Sequence, residues 1–107
     1  MPLESKFKSD LIRDIERLYP GAIVLKTDAN QIQGIPDQII LYGDHWAAFE
    51  AKRSDSSPHR PNQDYYVNLF NNMSYAAFVY PQNKEVFLHE LQQALRPGRR
   101  ARLSVGF

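Results

Sequence analysis

Residues 34–52 read GIPDQIILYGDHWAAFEAK, and the pairing of the two halves of this stretch sets the plan of the chain. Each half carries about five residues of near-continuous apolar character, the mark of strands covered on both faces. Gly43-Asp44 between them is a two-residue hairpin signal, because glycine accepts positive φ without steric cost. A two-residue loop pairs Tyr42 with His45, and counting back places Asp37 opposite Glu50. Cross-strand partners have Cβ atoms about 4.5–5.5 Å apart on one face. Lys52, two residues beyond Glu50, shares that face. Two carboxylates and an amine are then expected to converge among Ile39, Leu41, Trp46 and Ala48. A four-residue loop keeps this register, whereas a three-residue loop breaks it, since a one-residue slip turns every side chain over.

Like charges at that distance on a half-buried surface repel unless something positive sits between them. A hard divalent cation answers that demand. Magnesium prefers oxygen ligands, takes one or two carboxylates, and keeps several waters able to act as nucleophiles. The competing reading makes Asp37 a solvent-facing strand end and Glu50–Lys52 an ordinary surface ion pair.

Pro36-Asp37 followed, after a hydrophobic hairpin, by Glu50-Ala51-Lys52 resembles the PD-(D/E)XK nuclease signature. The finer pattern is Gly34-Ile35-Pro36-Asp37, then Phe49-Glu50-Ala51-Lys52 and a downstream Gln63. It is similar to the VRR-NUC and phage Holliday-junction-resolvase branch. The resemblance implies a restriction-endonuclease-like α/β fold, an α-β-β-β-α-β core with a mixed four-stranded sheet flanked by helices. It implies a Mg²⁺-dependent DNA endonuclease, with Mn²⁺ as a substitute, acting on four-way junctions, forks or flaps. Asp37 and Glu50 would hold the metal, joined by the Ala51 carbonyl and by Glu4 of the first helix. Lys52 would orient or deprotonate the attacking water and steady charge on phosphorus. Gln63 would position that water or the metal ligands. Symmetric cutting of a junction needs two sites, which a C2 homodimer supplies.

The chain has 107 residues, enough for one domain that buries roughly two thirds of its unfolded surface. We expect that domain over residues 1–96 and a basic tail over 97–107. There is no run of about 18 apolar residues, so no membrane span is expected, nor does the N-terminus show the apolar core of a signal peptide. Cysteine is absent, which excludes disulfides and thiolate metal sites and fits a cytoplasmic setting such as a bacterial or phage-infected cell. The formal net charge is +1, so affinity for DNA must come from local clusters rather than bulk charge. Those clusters are Lys6 with Lys8, Lys52 with Arg53 and Arg60, and Arg96, Arg99, Arg100 and Arg102 near the end.

In chain order, residues 3–19 predict a helix in which Phe7, Leu11, Ile15 and Leu18 recur at three- and four-residue steps before Pro20-Gly21 stops it. Glu4 falls within that apolar stripe. It is either a wet first-turn acid favoured by the helix dipole or, as the resemblance implies, a group reaching the metal site. Residues 22–27 predict a strand, with Lys26 on the Val24 face, pointing to a phosphate or standing at an exposed strand end. A polar loop then offers Asn30, Gln31 and Gln33 as substrate contacts or as plain solvated residues.

Past Lys52 the chain turns polar, and His59 and Arg60 lie in a loop where phosphate contact is expected alongside Arg53. Pro61 has the character of a first helical residue, opening a second helix over 62–71 with Tyr65, Tyr66, Leu69 and Phe70 inward. Gln63 lies on a neighbouring row, facing the carboxylates or solvent. Residues 75–80 predict a fourth strand reached by a crossover. A last helix ends near Leu95 with Leu91 and Leu95 inward; either Asn83 caps its start or residues 85–88 extend the strand before it.

His45, His59 and His89 show no metal spacing. No phosphate-cradling glycine loop and no nucleophile–base pair appears. Two rivals stand beside the nuclease: a non-catalytic nucleic-acid-binding module on the same fold, and a sequence-specific restriction-type endonuclease.

Overall fold

A computed structural model describes residues 3–96 of the chain; the expected basic tail from Pro97 lies outside those residues. The hairpin at its centre forms as its turn chemistry requires. Gly43 takes φ 62°, and strands β2 (Gln38–Tyr42) and β3 (His45–Ala51) pair antiparallel with Tyr42 opposite His45 and Gln38 opposite Phe49. Before them come helix α1 (Leu3–Leu18) and strand β1 (Ile23–Lys26). After them come helix α2 (Gln63–Met73), strand β4 (Ala76–Val79), a 3-10 turn over Pro81–Asn83 and helix α3 (Lys84–Ala94). The sheet runs in the order β1-β2-β3-β4. β1 is antiparallel to β2, and β4 lies parallel to β3 across the α2 connection. The protein is therefore α/β, with a mixed four-stranded sheet flanked by helices.

Strand alternation divides the sheet between two apolar layers. Ile40, Ala47, Phe49, Ala51 and Val79 point to the side where Leu11 and Ile15 of α1 meet Phe87, Leu91 and Leu95. Phe49 and Phe87 cross edge to face at 5.5 Å, and each fully buried side chain of this kind contributes about 1.5–3 kcal/mol. The opposite face carries Ala48 and Ala76 under Val67 of α2, with Ile39, Trp46, Phe70 and Phe78 around them. The layers are thus α1 with α3, the sheet, and α2. β3 is covered on both faces, as its apolar run predicts. β2 is not, since Leu41 stays exposed where α2 does not reach.

Several helix details depart from the expectation. Leu18 is exposed at the end of α1. On α2 the inward row is Gln63, Tyr66, Val67 and Phe70, while Tyr65 and Leu69 face out. The helix begins after Asn62, which adopts φ 71°, so Pro61 lies one residue before the cap and not inside the helix. Asn83 does not cap α3 with its side chain. That side chain instead accepts from the Tyr80 N–H and donates to the Phe78 carbonyl, tying the end of β4 to the 3-10 turn.

Candidate active site

β2 begins at Gln38, opposite Phe49, and one step back along the chain brings Asp37 to Glu50. The two are joined directly, the Asp37 backbone N–H donating to Glu50 Oε1 at 3.1 Å. Both lie on the α2 side of the sheet by alternation with Ile39 and Ala48. Glu50 and Lys52 are each only 7% exposed, so the reading of this trio as a solvated surface pair does not hold.

Desolvation is the chief reason that the Glu50 carboxyl is pushed up to about 7, and the Asp37 charge adds to it. The Lys52 charge and the Asp37 N–H pull the other way, and Glu4 adds a small further push upward. Asp37 has its Oδ2 held by the Lys8 ammonium at 2.8 Å. Its Oδ1 is buried and accepts no hydrogen bond. A buried carboxylate oxygen without a donor is costly and calls for an account.

The backbone bears on the same spot. Ala48 and Lys52 send their N–H groups to Tyr75 and Val79 on the β4 side, so alternation turns the Ala51 amide and carbonyl toward the β2 side. There the β2–β3 pairing stops at Gln38 opposite Phe49, and of the two residues before it Asp37 spends its N–H on Glu50 and the other is Pro36. Proline has no N–H to offer the Ala51 carbonyl. The donor set at this point is therefore two facing carboxylates, one with an orphaned oxygen, and a main-chain carbonyl. It fits a hard, oxygen-seeking dication that completes its shell with water, and it offers nothing to a softer metal.

Lys52 does not reach the carboxylates as the convergence argument expects. Its ammonium donates to Gln63 Oε1 at 2.8 Å and to the Pro58 carbonyl at 3.2 Å. Gln63 Oε1 also accepts from the Arg60 N–H at 2.8 Å, so Gln63, buried at the start of α2, organises both the lysine and the loop. Glu4 lines the same cavity. Among the described residues, however, no cluster of three or more acidic or histidine side chains forms, so Glu4 stays outside the Asp37–Glu50 pair.

The cavity has a volume of about 590 Å³, and Lys26, Gln33, Arg53 and Arg60 stand at its wall with the acids. His59 is spent elsewhere, stacked on Phe78 at 3.9 Å and bonded to Asp64 at 2.7 Å. Lys8 was visible in the sequence only as half of a basic pair. It belongs to α1, on the other face of the sheet, and reaches Asp37 just before β2 begins. Burial works against its charge, but the hydrogen bond to Asp37 and the charges of Asp37, Glu4 and Glu50 leave its pKa raised. The spacing from Glu4 to Lys8, one helical turn, was the available signal.

Comparison with family models, curated proteins and solved structures finds no match to this chain. None of the described helices is long and apolar enough to cross a membrane.

Proposed function

We propose that this protein is a divalent-metal-dependent nuclease that hydrolyses DNA phosphodiester bonds, with the PD-(D/E)XK active-site plan of the VRR-NUC and phage-resolvase branch. One observation carries the reading. Asp37 presents a buried, unpartnered oxygen beside Glu50, whose proton affinity is raised to about 7 by burial and by that same aspartate. Asp37, Glu50 and the Ala51 carbonyl are the groups that would hold Mg²⁺ or Mn²⁺. When bound, such a cation supplies polarisation of the phosphate and a more acidic attacking water.

The chain's own residues do the rest. Lys52, held by Gln63 and the Pro58 carbonyl, waits at the cavity wall as a cation for the charge that gathers on phosphorus. Gln63 fixes the lysine and the 53–62 loop together, and is a positioning residue. Lys26, Arg53 and Arg60 steer the phosphate backbone, and Gln33 offers a polar contact beside them. Contacts of this kind to backbone phosphates carry no sequence information, which accords with selection by DNA shape: junction, fork or flap. A second copy would supply the second cut that a symmetric junction needs.

The test is cleavage of labelled four-way, flap and linear DNA side by side, with Mg²⁺ and with chelator. We expect Asp37→Asn and Glu50→Gln each to lower the Mg²⁺-dependent rate at least about a hundredfold. Cleavage by either variant at the wild-type rate would sink the assignment. A non-catalytic binder would retain DNA affinity, cut nothing, and gain no stability from Mg²⁺. A restriction-type enzyme would cut unbranched duplex at defined sites.

A further inference from the structure

We propose that Lys8 is a displaceable counter-ion of the acidic pair: its ammonium holds Asp37 until a divalent cation binds, and then gives that carboxylate up. The inference rests on the nuclease reading of the site and concerns how its metal occupancy is set.

Three observations carry it. The contact is short, Nζ to Oδ2 at 2.8 Å, and it comes from α1, which packs on the opposite face of the sheet from Asp37. Lys8 therefore reaches past the end of β2 to make it. An ion pair built for stability alone would satisfy the carboxylate, yet Oδ1 remains buried without a donor. One ammonium thus meets only half of what the aspartate asks.

The side chain also has somewhere to go. Both side chains of the pair are 24% exposed, so the pair is only partly buried. Glu4 stands one turn earlier on the same helix and lines the same cavity. Residues four apart on a helix are neighbours, so Glu4 can receive the released cation without any movement of α1. A dication and an ammonium cannot share one carboxylate without mutual repulsion. Metal entry and the Lys8–Asp37 bond are therefore coupled, and the lysine raises the metal concentration at which the site fills.

Two measurements on the full chain test this. Mn²⁺ binding is followed by calorimetry for the wild type, Lys8→Met and Lys8→Gln, both of which keep most of the aliphatic stem. Removing the competing charge should tighten Mn²⁺ binding by roughly threefold to tenfold. Unchanged or weaker binding in folded variants would overturn the proposal. In the wild type, the Lys8 side-chain ¹³Cε resonance should shift during a Mg²⁺ titration with the same midpoint as metal binding. This readout decides the matter even if both variants fail to fold. A resonance that stays still at saturating Mg²⁺ would overturn the displacement while leaving the metal site standing. A wild type that takes up neither ion would overturn the site and this inference together.

Discussion

Glu50 makes the acidic pair measurable without any substrate. Its folded-state pKa is raised from 4.5 to about 7. Between those values the folded protein holds a proton that the unfolded chain has released, so the contribution of Glu50 to stability is fully present below about 4.5 and is lost as pH rises through about 7. In metal-free buffer the loss between pH 5 and pH 8 should be on the order of 1–3 kcal/mol. Denaturant unfolding at the two pH values measures it, and Glu50→Gln, which cannot ionise, should flatten the difference. Mg²⁺ should flatten it too, because a dication favours the charged carboxylate. A second residue-scale prediction concerns Gln63. Truncation to alanine removes the oxygen that accepts from both Lys52 and the Arg60 N–H. A buried ammonium short of a partner costs about 1–3 kcal/mol, and urea unfolding of Gln63→Ala should show a loss of that size.

Between elements, the close approach of Gly34 to Asn62 joins the two arms of the site. Gly34 has φ 94°, and a Cβ placed on it would stand 2.6 Å from Asn62 Cβ and 2.7 Å from the Asn62 carbonyl carbon. Asn62 itself sits at φ 71° and leads straight into Gln63. The glycine before Pro36-Asp37 therefore lets the loop that carries Arg60 lie against the start of the hairpin. Gly34→Ala must push those segments apart and hold a strained φ, at a cost of about 2–4 kcal/mol. Because the shift would fall on Gln63 and through it on Lys52, cleavage should fall as well. Gly43→Ala has open space around its Cβ and should cost only about 1 kcal/mol, with the rate unchanged. Thermal melts and cleavage rates of the two variants separate a site-bearing glycine from a turn-bearing one.

At the scale of the molecule, the cavity opens where the sheet ends, between α1 on one face and α2 on the other. The acids lie among the lining groups, and Lys26, Arg53 and Arg60 stand with them at the wall. With a net charge of only +1, DNA affinity must come from such local cations. Arg53→Ala and Arg60→Ala should each weaken binding about equally for all sequences. Each should also flatten the slope of log K against log salt by about 1. Fluorescence anisotropy at several salt concentrations reads both effects, and an unchanged slope would remove these arginines from the phosphate path.

What the chain determined by itself is local. Gly43-Asp44 selects a two-residue turn, the turn sets the register, and the register brings Asp37 to Glu50. Every step spans neighbours in sequence, so it was legible from residues 34–52. The element order was legible for the same reason, since each strand and helix carries its own periodicity and stop. Only the tertiary structure decided which helix side chains meet the hairpin. α2 turned Gln63 and Val67 inward in place of Tyr65 and Leu69, because its rotation answers to the sheet beneath it. Lys52 found Gln63, and Lys8 crossed from the far layer to Asp37. Contacts between layers depend on how helices seat against a sheet, and no spacing within one segment encodes that.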